Sequence, residues 1–346
     1  VNTEYGAVRG KVIFPGLLLG SLVVICLVVG LSVGIGDLPI PLDITFAAVA
    51  NRLGWSVGEI DRVYETVIWD YRLSRALVAA FCGAGLALSG AIMQSLLRNP
   101  LAEPYVLGIS AGASTGAVAI IILGIGAGAV SLSAGAFLGA FAAFCFVALL
   151  SNGTRGGADR TILAGVAASQ LFNAATSYIV TTTGNAQQAR DVMFWLLGSF
   201  GGVRWPEFML VSGVVSLGFV ACLSYARTLD TFAFGDETAA SLGVNVDRAR
   251  IVLFALTALM TAAIVSMVGS IGFVGLVVPH AARSLIGPLH IRLLPACALI
   301  GAIFMVLADV ASRALIPQQV LPIGVVTALV GVPCFSVILY RLQRAT

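Results

Sequence analysis

From Pro104 to Thr154 the chain runs for 51 residues without one Asp, Glu, Lys or Arg. As a single helix this stretch would be about 77 Å long, at about 1.5 Å per residue. The hydrocarbon core of a bilayer is about 30 Å thick, so a charge-free segment of that length has to turn back on itself. The place is "GIGAG" at 124–128, since glycine tolerates turn dihedrals. Just upstream, "SLLRNPLAEPYVLGISAGAS" (95–114) packs Arg98, Glu103 and two prolines into seven residues. Proline disfavours the α conformation before it, so Asn99-Pro100 and Glu103-Pro104 end one helix and start the next.

The rest of the chain follows the same pattern. Of 346 residues, 59% are hydrophobic and 10% charged, against about a quarter charged in a soluble domain. Apolar runs of spanning length recur throughout, which reads as an all-α polytopic membrane protein with one transmembrane domain over 1–346. The N-terminal run, 12–35, is too long for a signal-peptide core and is kept as a span. Spans are expected near 12–35, 76–97, 105–124, 134–150, 161–182, 207–223, 251–268, 272–286, 293–313 and 321–340. The segment 192–203 is too short to cross and is expected at an interface.

The stretch 251–282 has 32 uncharged residues broken by Gly269, Gly272, Gly275 and Pro279, and reads as one long span or two short ones. Basic residues decide. With both termini inside, twelve lie in inner loops (Arg9, Lys11, Arg98, Arg155, Arg160, Arg227, Arg248, Arg250, Arg283, Arg292, Arg341, Arg344). Seven lie outside (Arg52, Arg62, Arg72, Arg75, Arg190, Arg204, Arg313). That bias fits the positive-inside rule and requires 251–282 to cross twice, giving ten spans. Gly108, Gly112 and Gly116, like Gly135 and Gly139, recur four apart, a spacing that lets helix backbones approach closely.

Several chemistries find no support. The six cysteines lie far apart in apolar runs, and the two histidines, His280 and His290, form no cluster with them. No metal site and no catalytic residue is expected. The single lysine, Lys11, is in no GxxxxGK[ST] motif, so a phosphate loop is excluded and any ATP used is hydrolysed by a partner. No cofactor is expected on this chain, and no nucleic-acid partner. An intramembrane enzyme lacks GxSxG, HExxH or paired carboxylates. An ion-coupled secondary transporter would want several embedded carboxylates, and only Asp309 qualifies; its expected partner is Arg313 at i+4.

"RLSRALVAAFCGAGLALSGAIMQSLLRNPLAEPYVLGISAGAS" (72–114), "FWLLGSFGGVRW" (194–205), "GSIGFVGLVVPHAAR" (269–283) and "ADVASRALIPQQVLPIGVVTALVGVPCF" (308–335) resemble, in order, the permease subunits of type II ATP-binding-cassette importers. These are the iron-siderophore, haem and cobalamin permeases. The resemblance covers roughly 60–345. It implies ten spans per subunit, a homodimer with the pathway on its two-fold axis, two cytoplasmic ATPase subunits using ATP and Mg, and a periplasmic binding protein. It places the chain in the inner membrane of a bacterial cell. The cargo implied is an iron chelate, haem favoured or a ferric siderophore, with cobalamin as the alternative.

The same resemblance assigns residues. Arg72, Arg75 and Arg313 match arginines that receive acidic residues of the binding protein, a task suited to the planar fork of arginine. Arg75, nearer its helix, could cap packing instead, and Ser74 stands where the family commonly has proline. The loop 224–250 resembles the ATPase-coupling segment, with Gly235, Asp236, Glu237, Ala240, Leu242 and Gly243 at its core. There Asp236 and Glu237 suit the first turn of a helix, and Ala239, Ala240 and Leu242 would offer an apolar surface to a groove. Asn99 and Leu101 match a gate at the inner mouth, where Asn99 could equally be a turn-maker before proline. A second gate matches Ala158 and Asp159, where the family often has small hydroxyl residues. Ser169, Asn173, Thr176 and Ser177 share one helical face and are expected on the translocation path or in interhelical hydrogen bonds.

Overall fold

Backbone N–H and C=O groups in hydrocarbon have no water to bond, so apolar runs of this kind satisfy them internally as helices. A computed structural model describes residues 2–343 except 37, 56, 127, 129, 152–157, 317 and 318, with the side chains of 2–15, 17, 18, 158, 338, 339 and 341–343 left aside. The expected Arg155 therefore lies outside the described residues, as do Arg344 and the side chains of Arg9, Lys11, Ala158 and Arg341.

The helices are α1 (Asn2–Gly34), α2 (Leu42–Arg52), α3 (Arg62–Thr66), α4 (Ser74–Leu96), α5 (Ile109–Ile121), α6 (Leu132–Leu150), α7 (Ala158–Thr183), α8 (Ala186–Leu196), α9 (Trp205–Ser224), α10 (Ala226–Phe232), α11 (Asp236–Ser241), α12 (Val246–Val268), α13 (Val274–Ile286), α14 (His290–Ala314) and α15 (Ile323–Gln343). A π-helical turn, Val67–Leu73, joins α3 to α4, and a 3-10 turn, Pro104–Leu107, precedes α5. Among the described residues no strand occurs. Six helices among the described residues are long and apolar enough to cross a membrane: Arg62–Leu96, α6, Asp159–Thr183, α9, α12 and α14. Four shorter apolar helices, Leu19–Gly34, α5, α13 and Ile323–Val337, occupy the other expected positions.

α4 is the hub. In its spanning window 89% of residues are buried, against 17% in that of α7, so α4 runs inside the bundle and α7 on its flank. α14, α12, α13 and α9 surround α4. Close approach depends on missing side chains. A Cβ on Gly83 would overlap the Gly301 carbonyl of α14, and one on Gly90 would overlap Gly275 of α13. Gly112 and Gly116 meet Gly139 and Gly135 in the same way across α5 and α6, as their spacing implied. Gly108 does not belong to that seam: at φ 70° it is the left-handed residue from which α5 starts.

Two expected spans are broken. The one expected at 105–124 begins as the 3-10 turn and turns α-helical only at Ile109. The chain has by then already climbed: a Cβ on Gly165 of α7 would overlap the Val106 carbonyl, and Gly165 lies about 10 Å along its own helix. The stretch 251–282 does split into two helices, through non-helical residues 269–273. The two breaks bond each other. Tyr105 Oη donates to the Ile271 carbonyl at 2.9 Å and accepts from the Ile271 amide at 3.0 Å, and Ser110 donates to Ser270 at 2.9 Å. The loop after α8 joins them, with Ser199 N–H on the Val268 carbonyl (2.8 Å) and its Leu197 and Gly198 carbonyls accepting from Gly324 and Ile323 (2.9 and 3.0 Å). Irregular backbone at this depth persists because protein groups satisfy it.

The interfacial segment expected at 192–203 starts earlier, as α8. Asn185 and Gln188 close a reciprocal capping box there, an N-terminal signal the hydropathy reading passed over. α2, α3 and the π-helical turn were not expected either.

Candidate functional site

Most of the candidate side chains gather at the two ends of the bundle, and α4 and α14 run antiparallel between them. At the Arg313 end, α1 stops and leaves carbonyls without intrahelical partners. Arg72 and Arg313 supply the donors. Arg72 Nη1 bonds the carbonyls of Val33 (3.0 Å) and Gly34 (3.3 Å), and its Nη2 bonds that of Leu38. Arg313 bonds the Ile35 carbonyl, the Ser32 carbonyl (3.2 Å) and Ser32 Oγ (2.8 Å). Cationic groups also suit the negative end of a helix dipole. Arg72 is only 6% exposed, so its fork is turned onto α1 rather than outward.

Asp309, fully buried on α14, stands between two arginines. Arg75 Nη2 approaches Oδ1 at 2.8 Å and Arg313 Nη2 approaches Oδ2 at 3.1 Å. The i+4 pair with Arg313 was expected; the bridge to Arg75 across 234 residues was not. Flanked by two guanidinium groups, Asp309 is an ion-pair centre of the bundle. Beside it opens a cleft of about 270 Å³ lined by Arg72, Arg75, Arg204 and Arg313 among apolar residues. Arg204 stacks 3.8 Å above the Tyr71 ring.

At the Arg98 end, α4 terminates in a turn with Arg98 at φ 47°. Asn99 Oδ1 accepts the Leu101 amide at 2.9 Å, so Asn99 does build the turn before proline, while Leu101 faces out. Asp159 sits exposed in the first turn of α7, and the Ala158 side chain lies outside the described residues. Glu103 follows the turn, and burial pushes its carboxyl above the usual range.

The segment 224–250 folds as α10, a break at Gly235 (φ 96°), α11, a second break at Gly243 (φ 85°) and the start of α12. Asp236 and Glu237 open α11 as expected, and Asp236 is held by Arg250 at 2.8 Å. One assignment needs correction: Ala239 is fully buried against the bundle. The outward apolar face consists of Leu242, 64% exposed, and Phe234, 73% exposed, with Ala240 exposed beside them.

On α7, Ser169, Asn173 and Ser177 hold one stripe at i, i+4, i+8, half-buried to exposed. Thr176 leaves that stripe. It is buried, and its Oγ1 lies 2.9 Å from Thr115 Oγ1 on α5, an interhelical hydrogen bond rather than part of an open surface.

Residues that the sequence reading missed complete the Arg98 end. His290 Nδ1 lies 2.6 Å from Asp230 Oδ1, and its Nε2 lies 2.6 Å from Ser95 Oγ. Gln94 donates to the Gly275 carbonyl at 3.2 Å and accepts from Arg283. These groups and Arg98 line a cavity of about 470 Å³ between the end of α4, α10 and the start of α14. The available signal was a lone histidine directly after Gly-Pro-Leu, at the head of an apolar run.

The sequence profile of the FecCD transport family matches residues 22–341. The chain is 40% identical over 306 residues to the cobalamin import system permease protein BtuC of Halobacterium salinarum, covering 88% of this chain and 80% of that one. It is 36% identical over 333 residues to the hemin transport system permease protein HmuU of Yersinia pestis, covering 94% and 96%. In three dimensions it is similar to a chain described as an inward-facing metal-chelate type ABC transporter, with TM-score 0.83, 32% identity and coverage of 94% and 99%.

Proposed function

The chain belongs to the FecCD transport family, and on that premise we propose that it is the membrane-embedded permease of an ATP-driven importer that moves a metal chelate. In this reading the subunit crosses the inner membrane ten times, with both termini and the Arg98 end in the cytoplasm, and works as a homodimer. Two ATPase subunits seat on the segment 224–250, and a binding protein docks at the arginine-lined cleft of the opposite end. The observation that carries the reading is the exposed apolar face of Phe234, Ala240 and Leu242 around α11, a helix that two positive-φ glycines, Gly235 and Gly243, set off from its neighbours in a chain with no phosphate loop. A short helix offering apolar side chains from a polar loop suits a groove on a partner.

Asn99 and Leu101, with Ala158 and Asp159, form the cytoplasmic gate in this reading. The stripe Ser169, Asn173 and Ser177 faces the path at the dimer axis, which accounts for polar groups on the exposed flank of an otherwise apolar helix. Cargo is an iron chelate, haem or a ferric siderophore. Cobalamin has equal standing, since relatives of similar identity carry the names of both hemin and cobalamin permeases.

The test is reconstitution with the ATPase and binding protein, assayed for uptake of haemin, a ferric siderophore and cyanocobalamin. Hydrolysis should appear only with the ATPase present. ATP turnover by the purified permease alone would overturn the reading. Inserting residues between Glu237 and Leu242 should separate hydrolysis from uptake, and an unchanged ratio would remove the coupling role from this segment.

A further inference from the structure

α4 and α14 are fastened at both ends and touching in the middle. At one end Arg75, in the first turn of α4, holds Asp309 near the end of α14. At the other, Ser95 near the end of α4 meets His290, the first residue of α14. Halfway along, Gly83 and Gly301 leave no room for a side chain on either helix. Packed helices in such contact move as rigid bodies rather than bend. The pair is therefore a strut about 35 Å long, from the arginine-lined cleft to the level of α10.

α10 packs on this strut through the buried side chains of Ala226, Leu229 and Phe232, and Asp230 bonds it to the first residue of α14. Asp230 Oδ1 accepts both the backbone amide of His290 (2.9 Å) and its ring Nδ1 (2.6 Å). The carboxylate thus caps the N-terminus of α14 from another helix, where orphan amides and the helix dipole favour an anion. A carboxylate can only accept, so Nδ1 carries the hydrogen; in the neutral ring Nε2 then accepts the Ser95 hydroxyl, whose other partner within reach is the Ala91 carbonyl at 2.9 Å. His290 is 6% exposed, and its ring joins α10, α4 and α14 at one point. A few residues after Asp230, Gly235 sits beside the Arg98 guanidinium, at the break leading into α11.

We infer that His290 is a positioning residue that locks α10, and through it the ATPase-facing α11, to the α4–α14 strut, so that displacement at α11 is delivered to the Arg75–Asp309–Arg313 cluster. This rests on the importer reading for its biological meaning; the mechanical link itself does not.

The experiment has two arms on the full-length permease. The first uses the complex with ATPase and binding protein, and measures uptake per ATP with haemin, a ferric siderophore and cyanocobalamin as probes. Ser95→Ala deletes one hydroxyl, and His290→Asn keeps a donor near Nδ1 while deleting the Nε2 contact. Each should lower uptake per ATP about threefold or more, the scale of one lost hydrogen bond, and Ser95→Thr should restore it. A wild-type complex that takes up none of the probes counts against the importer reading. Wild-type ratios in both variants of a transporting complex overturn the inference. The second arm needs no cargo. Backbone hydrogen exchange in the two variants should quicken at 226–241 and also at 71–75 and 309–314, at the far end of the strut. Exchange altered only around Ser95 and His290 would make the contact a local packing feature and overturn the link. Should His290→Asn fail to fold, Ser95→Ala decides both arms.

Discussion

Tyr105 and Ile271 exchange two hydrogen bonds, the phenol giving one to the carbonyl and taking one from the amide. One side chain thereby satisfies both backbone groups of a residue inside a broken helix. Tyr105→Phe keeps the ring and removes both bonds, leaving a buried amide and carbonyl unpaired. The cost of leaving one buried polar group unsatisfied is about 1–3 kcal/mol. The variant should unfold at a lower temperature in detergent, and the Ile271 amide should exchange faster. Wild-type values for both would mean that water replaces the phenol.

Asp309 pairs with two guanidinium groups from a fully buried position. Removing one partner of a buried ion pair typically costs about 3–5 kcal/mol, because charge is left uncompensated. Asp309→Asn should therefore destabilise the chain on that scale. The double variant Arg75→Gln/Asp309→Asn should lose less than the sum of its single changes, by about 0.5–3 kcal/mol. Strict additivity in unfolding measurements would dissolve the pair.

Much of this architecture is legible in the sequence, for physical reasons that also mark where it stops. Charge-free runs locate helices because hydrocarbon excludes charge, and glycines at 269, 272 and 275 with the arginine bias identify the split between α12 and α13. The start of α5 is less legible. Pro104 signals a helix start, and only contacts with α7 make room for a 3-10 turn and a left-handed Gly108 first. Ala239 was assigned outward because α11, six residues long, is too short for periodicity to fix its buried face. Thr176 and Ser177 are adjacent, and Thr115 on another helix decides which of them turns inward. His290 and Asp230 lie 60 residues apart, with no pattern linking them. Arg72 was read as outward-facing because α1, whose carbonyls it bonds, gave no sign of ending beside it.

Glu103 makes stability depend on pH. Burial raises its carboxyl above the ordinary value, so the folded chain binds this proton more tightly than the unfolded one. The penalty is absent below the ordinary carboxylate range and grows as pH rises from there to the folded value, remaining in full above it. Glu103→Gln should be more thermally stable than the parent at about pH 7.5, with the gain shrinking toward about pH 4. A constant difference across that range would place the effect elsewhere than in ionisation.

Docking at the arginine cleft can be separated from the structural duty of the same residues. Arg72 and Arg313 spend their guanidinium groups on the carbonyls that end α1, so replacing either one changes stability as well as charge. Arg204 is different: it lines the same cleft, is half-buried over Tyr71, and bonds only carbonyls of its own loop. Glutamine is the suitable replacement, since Glu207 already receives the Arg204 amide and a second carboxylate there would add repulsion. A rim charge pair in water contributes about 0.2–1 kcal/mol, whereas partly desolvated interfacial pairs reach about 1.5–7 kcal/mol. If an acidic lobe of the binding protein enters the cleft, Arg204→Gln should weaken the complex about tenfold, equivalent to about 1.4 kcal/mol. Thermal stability should stay near wild type, and the salt dependence of binding should become shallower. Arg72→Gln should instead lower the unfolding temperature first. Titration of the reconstituted permease–ATPase complex with binding protein at two ionic strengths reads all of these. Unchanged affinity for Arg204→Gln, with the parent complex insensitive to salt, would move the docking surface away from this cleft.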